Sequence, residues 1–305
     1  MEHTGPDAPE TVFTAHRKRL VGVAYRLLGS VGDAEDVVQE ARLRWGRVDT
    51  ATVADPEAFL VRTVSRLALD RLRRVAARRE TYVGPWLPEP VLTSRNSSVG
   101  RDDPAAEVER AASVSMAMLV VLETLSPLER TVFVLHEAFA YSAGEIAEIV
   151  DRSPAAVRQL AHRAREHVAA RRPRYPADPD VRRAATERFL RASLEGDLDA
   201  LLDLLAPEAT LWADGGGKAK APLRPVHGGT KIARFFAAVG AEELPPRSSI
   251  EIVDVNEGPA AVLMGPEGPI AVMQLDLGDD GRVTVVRFLG NPDKLTGLSA
   301  LRSSG

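Results

Sequence analysis

The 305-residue sequence contains no cysteine, which excludes disulfide bonds, thiolate zinc sites and cysteine nucleophiles. It also lacks any run of about 18 apolar residues, so we predict no transmembrane helix and no membrane partner. The N-terminal residues MEHTGPDAPE do not have the basic segment and apolar run of a signal peptide. Together, these absences predict a protein of the reducing cytoplasm.

The net charge is only −4, but the charges are unevenly distributed along the chain. Residues 1–175 hold 25 Lys and Arg against 24 Asp and Glu, whereas residues 176–305 hold 14 against 19. Residues 62–79 and 152–174 each carry seven arginines and one acidic residue. Such local basic patches are typical of nucleic-acid-binding proteins, because phosphate contacts release counterions. A solvated helix face is the alternative interpretation of each patch.

An acidic helix is predicted for the segment DAEDVVQEARLRW, which begins at Asp33. Its apolar residues recur at three- and four-residue intervals and form a buried stripe. Asp33, Asp36 and Glu40 follow the same spacing and share the opposite face. No histidine accompanies these carboxylates, so we predict no metal or cofactor and no catalysis here. The face is either ordinary surface or a docking site for a basic protein, since complementary charge steers association.

A basic helix is predicted for residues 55–74, beginning at Asp55–Pro56 with proline in the first position. Leucine and valine residues, among them Leu60 and Val64, repeat with helical spacing and are expected to pack inward. The opposite face carries a row of mostly basic side chains, which are Arg62, Arg66, Asp70 and Arg73.

A linker is predicted at residues 80–103, where prolines and polar residues show no helical period. It contains the segment WLPEP at residues 86–90, and we expect this tryptophan-bearing segment to dock on another part of the protein. A helix from Asp103 to Leu125 is predicted to follow. Ser126-Pro-Leu-Glu and Ser142-Ala-Gly-Glu then match the capping box at a helix start.

A helix-turn-helix motif is predicted at residues 142–171. Its first helix begins at Ser142, and its second helix begins at Ser153 after a short turn. Near the start of the second helix, four residues form an outward stripe, which are Ala155, Arg158, Gln159 and His162. Because Arg and Gln pair with guanine and adenine edges, the stripe predicts duplex recognition. An ordinary helical hairpin is the alternative.

The C-terminal part is predicted to be α+β. Residues 181–205 read as helix interrupted near Gly196, and residues 227–240 read as a further helix. Strand-like runs separated by glycine-containing turns follow at Ile250–Val255, Ala260–Met264, Ile270–Leu277 and Val283–Leu289.

The acidic helix, the basic helix and the helix-turn-helix segment together resemble regions 2 and 4 of an extracytoplasmic-function sigma factor. This resemblance covers about residues 10–172. It implies two all-α domains, region 2 at residues 10–79 and region 4 at residues 104–173, joined by the linker at 80–103. It also implies that the protein binds core RNA polymerase, through the β′ clamp helices and the β flap, and directs recognition of a −35/−10 promoter.

The resemblance assigns residues to each of these contacts. Those implied to grip the β′ clamp helices are Asp33, Asp36, Gln39 and Glu40. Those implied to face the −10 element are Arg62, Ser65, Arg66, Asp70 and Arg73, with the loop Val48–Asp55 as the candidate pocket for unstacked bases. Those implied to face the −35 element are Arg158, Gln159, His162 and Arg163.

Three further motifs, WLPEP (86–90), DGGGK (214–218) and NPDKL (291–295), are similar to signatures of the SigJ-like subgroup. In that subgroup a fused SnoaL-like domain, here residues 178–305, adopts the cone of the nuclear-transport-factor-2 fold. It is expected to regulate the sigma factor in cis, so no separate anti-sigma factor is expected. The residues expected to make these regulatory contacts are Trp86, Leu87, Pro88, Glu89, Pro90, Asp214, Gly215, Gly216, Gly217, Lys218, Asn291, Pro292, Asp293, Lys294 and Leu295.

Physical arguments support roles for these motifs. Trp86 is expected to anchor the linker by burying its ring, and the glycines at 215–217 are expected to admit a closely approaching chain. Asp293 and Lys294 are expected to lock the cone against the linker. A loop tip and a helix start are the alternative interpretations of the second and third motifs.

Two other functions are consistent with parts of the sequence. A ligand-responsive helix-turn-helix regulator with the cone as sensor would bind DNA without polymerase, but it has no use for the acidic helix. An enzyme fused to a DNA-binding region would need an acid–base pair, for which Asp214, His227 and Asp276 are the candidates, with Trp212 as a pocket wall. We predict that the domain is catalytically silent and that His227 is a turn residue.

Overall fold

The computed structural model describes residues 9–79, 82–93, 114–171, 178–240, 244–298 and 301. Its internal contacts divide the chain into two units. The first unit contains the helices before residue 172, and the second contains the C-terminal part together with the segment around residues 82–93. Residues 82–93 of the predicted linker therefore belong with the C-terminal unit, although they lie between the helical segments in sequence. None of the described helices is long and apolar enough to span a membrane.

Three helices form the N-terminal part of the first unit, namely α1 (Pro9–Leu28), α2 (Val31–Trp45) and α3 (Pro56–Arg79). Gly29 ends α1 with a left-handed backbone (φ 65°), and Ser30 caps α2 by accepting a hydrogen bond from the Asp33 amide. Trp45 at the end of α2 is buried, and its indole nitrogen donates to the carbonyl of Pro9.

Four helices complete the first unit, namely α4 (Met116–Glu123), α5 (Pro127–Phe133), α6 (Ala143–Val150) and α7 (Pro154–Arg171). Both predicted capping boxes are present, at Ser126 and Ser142. A π-helical turn at Val134–Ala138 continues α5. The predicted helix from Asp103 to Leu125 is not continuous, because Val114 and Ser115 are not helical and α4 begins only at Met116. Residues 103–113 lie outside the described residues.

The second unit contains helices and one mixed sheet, as predicted. The helices are α8 (Pro179–Glu195), α9 (Leu198–Leu204) and α10 (Gly229–Gly240). The strands are β1 (Leu205–Asp214), β2 (Val226–His227), β3 (Ser249–Val255), β4 (Gly258–Gly265), β5 (Gly268–Leu277) and β6 (Val283–Leu289). Their order is β2-β1-β6-β5-β4-β3, with β1 parallel to β6 and every other pair antiparallel.

Two strands were missing from the sequence-based prediction. β1 starts directly after α9, where the leucine-rich helical pattern hides the change of period, and it contains Pro207, which weakens a strand signal. His227 was expected in a turn, but it belongs to β2 and pairs with Thr210 of β1. The four predicted hairpin strands are all present, and β6 has the predicted bounds.

One face of the sheet carries the core of the second unit. Helices α8, α9 and α10 cover this face, and their apolar side chains pack with alternate residues of β1, β4, β5 and β6. Side chains alternate along a strand, so Ala213 and Leu275 enter the core while their neighbours Asp214 and Asp276 belong to the other face. That other face carries the polar residues of the candidate site.

Candidate functional site

The acidic face of α2 is partly occupied by an ion pair with α3. Arg71 bonds to the Asp33 carboxylate and also approaches Asp36 at 3.3 Å. The hydrogen bonding that Arg71 donates to the Asp33 carboxylate is the main reason that the pKa of Arg71 is raised. Asp36, Gln39 and Glu40 remain exposed, whereas Asp33 is half-buried. A partner can reach these three exposed side chains, although Asp36 also contacts Arg71 and Glu40 pairs with Arg44 at 2.6 Å.

The basic face of α3 contacts the first helix of the helix-turn-helix. Arg66 donates to the carbonyls of Glu148 (2.6 Å) and Ile149 (3.1 Å), and Arg62 pairs with the Glu148 carboxylate. These carbonyls lie in the last turn of α6, where the helix dipole favours a cation. Two side chains predicted to face the −10 element are therefore bound to the domain predicted to face the −35 element.

The other predicted −10 residues of α3 differ in exposure. Asp70 and Arg73 are exposed and pair with each other at 3.3 Å. Ser65 is fully buried, and its hydroxyl oxygen has no hydrogen-bond partner within the described part of the chain. Ser65 therefore does not share the outward face predicted for it, because its helix position turns it towards the core. The loop Val48–Asp55 forms a short 3₁₀ turn at Thr50–Thr52.

A buried arginine adds a second contact between these two helical parts. Arg130 of α5 donates twice to the carbonyl of Arg26 in α1, at 3.1 and 3.2 Å, and pairs with Glu123. Burial lowers the pKa of Arg130 to about 9, which still leaves the guanidinium charged at neutral pH. An unpaired buried charge is costly, so the Arg26 carbonyl and the Glu123 carboxylate are needed to stabilise the buried Arg130 guanidinium.

The second helix of the helix-turn-helix, α7, has the predicted two faces. Its buried face carries Val157, Leu160, Ala161 and Ala164. Arg158, Gln159, His162 and Arg163 are exposed and together line one open groove of about 420 Å³. The tight turn before α7 depends on Asp151, whose backbone is left-handed (φ 55°). The four predicted −35 residues thus share one accessible surface on an amphipathic helix.

A second polar cluster lies on the sheet face of the C-terminal unit and binds the linker segment. Asp214, with 0% of its surface exposed, accepts hydrogen bonds from the Tyr82 hydroxyl (2.6 Å), the Leu87 amide (2.8 Å) and the Lys294 ammonium (2.7 Å). Lys294 also donates to the Leu87 carbonyl at 2.7 Å. Asn291 donates to the Tyr82 hydroxyl at 2.8 Å. The contacts of Tyr82 and Leu87 join the C-terminal domain to the chain near WLPEP.

The linker then continues along the edge strand β3. Asn256 and Val91 exchange two hydrogen bonds, of 2.9 and 3.0 Å. Leu92 forms an antiparallel bridge with Val255, and the Thr93 amide donates to the Asp254 carbonyl at 2.8 Å. This is strand addition at an open sheet edge, in which backbone hydrogen bonds hold an extended segment. We refer to Asp214, Asn256, Asn291 and Lys294 as the linker-binding site.

The buried anchor of the linker is Leu87 rather than Trp86. Leu87 is 2% exposed, whereas Trp86 is only partly buried. The Lys294 ammonium lies 4.0 Å from the centroid of the Trp86 ring, which is a cation–π contact. Trp86 is thus mostly rather than fully buried, and its ring covers the buried Lys294 ammonium. The flanking Pro88 and Pro90 are buried, and Glu89 is partly buried.

The glycines of DGGGK let two chain segments approach closely. A Cβ on Gly216 would lie 2.3 Å from the Asn291 side-chain nitrogen, and one on Gly215 would lie 2.4 Å from a carbonyl oxygen. Gly217 faces Val83 of the linker. Lys218 completes the motif with an exposed ion pair to Asp293 at 2.5 Å. Pro292 begins a 3₁₀ turn that Asn291 caps, and Leu295 is buried behind it.

Comparison with known proteins places these surfaces in a family. Residues 12–79 match Sigma-70 region 2, residues 115–168 match Sigma-70 region 4, and residues 186–290 match a SnoaL-like domain. The chain is 43% identical over 293 residues to the ECF RNA polymerase sigma factor SigJ of Mycobacterium tuberculosis (strain ATCC 25618 / H37Rv), covering 93% of this chain and 92% of that protein. The chain belongs to the extracytoplasmic-function RNA polymerase sigma factors.

Two further similarities extend over nearly the whole sigma factor. It is 37% identical over 310 residues to the probable ECF RNA polymerase sigma factor SigI of M. tuberculosis (strain CDC 1551 / Oshkosh), covering 98% of this chain and 99% of that protein. The crystal structure of M. tuberculosis SigJ matches with a TM-score of 0.72 at 37% identity, covering 94% of this chain and 98% of that chain. The protein is thus an alternative sigma factor acting in transcription initiation, with core RNA polymerase and promoter DNA as partners and a SnoaL-like domain fused as in SigJ.

The structure separates the three residues of the sigma factor that resembled an acid–base set. Asp214 holds the linker, Asp276 pairs with Arg287, and His227 lies 3.2 Å from the Thr210 hydroxyl. Each of the three residues has its own partner, and among the described residues no hydrogen bond joins one of the three to another. The described part of the chain also contains no group of three His, Asp or Glu side chains arranged to hold a metal.

Sequence reasoning missed Tyr82 and Asn256 of the sigma factor. Tyr82 was a candidate in retrospect, because it is an aromatic residue with a polar group four positions before Trp86 in an otherwise irregular segment. Burial, followed by its bond to Asp214, raises the pKa of the Tyr82 hydroxyl. Asn256 was hidden in a hairpin turn, where its left-handed backbone (φ 46°) is the usual reason for asparagine.

Proposed function

We propose that the SnoaL-like domain regulates this sigma factor in cis, and that the described arrangement of its helical unit is a closed state. The observation that carries the proposal is the contact between α3 and α6, in which Arg66 lies 2.6 Å from the Glu148 carbonyl. A −10 and a −35 element are separated by about 80 Å of duplex, at 3.4 Å per base pair. Helices in direct contact cannot read both elements at once, so promoter binding requires this contact to open.

The linker is the segment through which the regulation would act. It joins region 2 to region 4, and residues 82–93 are held by the linker-binding site through a buried charge and backbone hydrogen bonds. Any movement of the two regions that pulls this segment must break those bonds. We therefore propose that release of the linker and separation of the two regions are coupled. Regulation within one chain also removes the need for a separate anti-sigma factor.

In the open state, each predicted surface would have its own partner. We assign Asp33, Asp36, Gln39 and Glu40 to the β′ clamp helices and region 4 to the β flap. Within the domains 10–79 and 104–173, the −10 element would take Arg62, Ser65, Arg66, Asp70 and Arg73, and the −35 element would take Arg158, Gln159, His162 and Arg163. Arg62 and Arg66 become available only on opening, since both are bound to α6. The assignment of Ser65, which is buried towards the core, requires a further local rearrangement of α3.

We propose that the domain at 178–305 is catalytically silent and that the protein acts in the cytoplasm. The candidate acid–base residues support the first point, because each is engaged in a structural contact. The domain's contribution is then mechanical: it binds residues 82–93 of the linker and limits the freedom of the helical regions.

The first test is co-elution of the purified chain with σ-free core RNA polymerase on a sizing column, followed by transcription from a −35/−10 promoter. Asp36→Lys with Glu40→Lys should abolish co-elution, because both exposed carboxylates are replaced by positive charges that repel a basic partner surface. The matched control is Glu187→Lys with Glu195→Lys, which changes charge equally at exposed positions of α8. Equal binding by both double variants would show that the docking assignment is wrong.

The regulatory proposal is tested separately by ending the chain before Asn291. This truncation removes Asn291 and Lys294 and with them two members of the linker-binding site. We expect it to change transcription at a fixed polymerase concentration relative to the full chain. Transcription and polymerase affinity indistinguishable from those of the full chain would contradict regulation through this site.

A further inference from the structure

A cavity of about 100 Å³ lies in the second unit between α8, α10 and the core face of the sheet. Leu190 contributes from α8, Phe236 from α10, and Met273 and Phe288 from β5 and β6. These residues belong to the side of the sheet opposite Asp214 and Asp276. The cavity is therefore separate from the linker-binding site and from every residue that was considered as an acid or base.

Among the described residues, the lining of the cavity contains no charged or titratable side chain. Ser193 is the single hydroxyl-bearing residue of this described lining, and its hydroxyl donates to the Phe189 carbonyl at 2.8 Å within α8. A charged ligand group placed inside would lose its hydration without finding a partner, which is strongly unfavourable. The chemistry of the walls accordingly selects for uncharged apolar molecules.

The mouth of the cavity exposes apolar surface to solvent. Leu194, Val239 and Leu244 are among the few large apolar side chains with high exposure, at 42%, 38% and 43%, and all three line this one cavity. Isolated exposed leucines are ordinary, but clustered apolar exposure around a concave opening marks a binding site. The opening also provides an entry path that needs no unfolding of the core.

The walls are held in place by aromatic packing. The Phe236 ring meets Phe189, Phe235 and Phe288 edge-on, with centroid separations of 5.0, 5.2 and 6.5 Å. Such pairs add stability beyond buried area, and densely packed walls do not collapse into a neighbouring void. The cavity is therefore a preformed feature of the domain.

We propose that this cavity binds a small uncharged apolar molecule, of the size of one aromatic ring or a short aliphatic chain. A dry cavity of about 150 Å³ lined by Leu, Ile and Phe is known to bind benzene, and the open mouth here lets a substituent extend past Leu194 and Val239. The ligand is bound and not transformed, since the walls supply neither an acid nor a base.

The proposal is tested with toluene and the full chain labelled with ¹³C at the methionine methyl groups. The chain has five methionines, of which Met273 lines the cavity and Met264 on β4 does not. Toluene should shift the Met273 methyl signal saturably through its ring current and leave the Met264 signal unchanged. Sodium benzoate at the same concentrations should shift neither signal, because its carboxylate has no partner inside.

Filling the cavity provides the matched variants. Ala271→Leu places extra carbon atoms in the cavity from β5 and should remove the saturable Met273 shift, whereas Val181→Leu at an exposed position of α8 should retain it. If Ala271→Leu overpacks and fails to fold, Leu263→Phe fills the same space from β4. Absence of a saturable Met273 shift in the unmodified protein, equal shifts at all methionines, or unchanged binding in a folded filled variant would each overturn the proposal.

Discussion

Lys294 and Asp214 form an ion pair with a separation of 2.7 Å, and at most 7% of either side chain is exposed. The same ammonium group donates to the backbone of Leu87 and faces the Trp86 ring. Asp214 ends β1 and Lys294 follows β6, two parallel neighbours, so the sheet itself brings the charges together. The ion pair joins the motif DGGGK to the motif NPDKL, and its lysine contacts Trp86 and Leu87 of the motif WLPEP.

Lys294→Met should destabilise the SnoaL-like domain by about 3–5 kcal/mol, because it leaves the Asp214 carboxylate buried without its charge partner. The measurement is urea unfolding followed by the circular dichroism of the full chain. Lys218→Met is the control, since Lys218 pairs with Asp293 at the surface, where an ion pair contributes about 0–1 kcal/mol. Similar losses in the two variants would show that burial does not govern this pair.

Gly216→Ala should weaken linker binding more than Gly281→Ala. Both glycines have a left-handed backbone, with φ of 58° and 76°, so both substitutions carry the same backbone cost of about 1–2 kcal/mol. Only at Gly216 does the new methyl group collide with Asn291, whereas the space around Gly281 is open. The difference in unfolding free energy between the variants isolates that collision. Equal destabilisation would mean that Asn291 moves away without loss.

Tyr82 should make the stability of the linker-bound state depend on alkaline pH. Its pKa is raised above the ordinary value of 10.0, chiefly by burial and then by its bond to Asp214. The folded state therefore keeps the proton when the unfolded chain releases it, so the stabilisation is complete below pH 10 and falls as pH rises above it. Unfolding measured between pH 8 and 11 should show a steeper decline for the unmodified protein than for Tyr82→Phe. Parallel curves would contradict the assignment.

Arg158→Ala should reduce discrimination at one −35 position by about 1–3 kcal/mol if the guanidinium pairs with a base edge. Binding by the polymerase holoenzyme to a set of single-base promoter variants measures this discrimination. Arg171→Ala, at the exposed far end of α7, serves as the control. A uniform loss over all promoter variants would instead identify Arg158 as a phosphate contact.

Glu148→Arg should open the helical unit, because it places a third cation beside Arg62 and Arg66. The radius of gyration from small-angle X-ray scattering should increase, and transcription at limiting sigma factor should change with it. Glu187→Arg changes the charge equally on an exposed position of the other unit. An unchanged radius of gyration in Glu148→Arg would show that Arg62 and Arg66 do not hold the helical unit closed.

The local parts of the fold could be read from the sequence. The capping boxes at Ser126 and Ser142 and the bounds of β6 depend on residues a few positions apart. Helix and strand periods report which face is buried, so the two faces of α7 were predicted as well. Motif resemblance added the family and the meeting of the three regulatory motifs, but not the atoms that join them.

Only the tertiary structure decided which distant side chains meet. The bonds from Tyr82 to Asp214 and from Leu87 to Lys294 join residues 132 and 207 positions apart, and no local period encodes such pairs. The same holds for Arg66 against α6, for the burial of Ser65 and for the cavity between α8, α10 and the sheet. Secondary structure follows from hydrogen bonds and side-chain spacing within a segment, whereas these contacts exist only after separate segments have packed and excluded water.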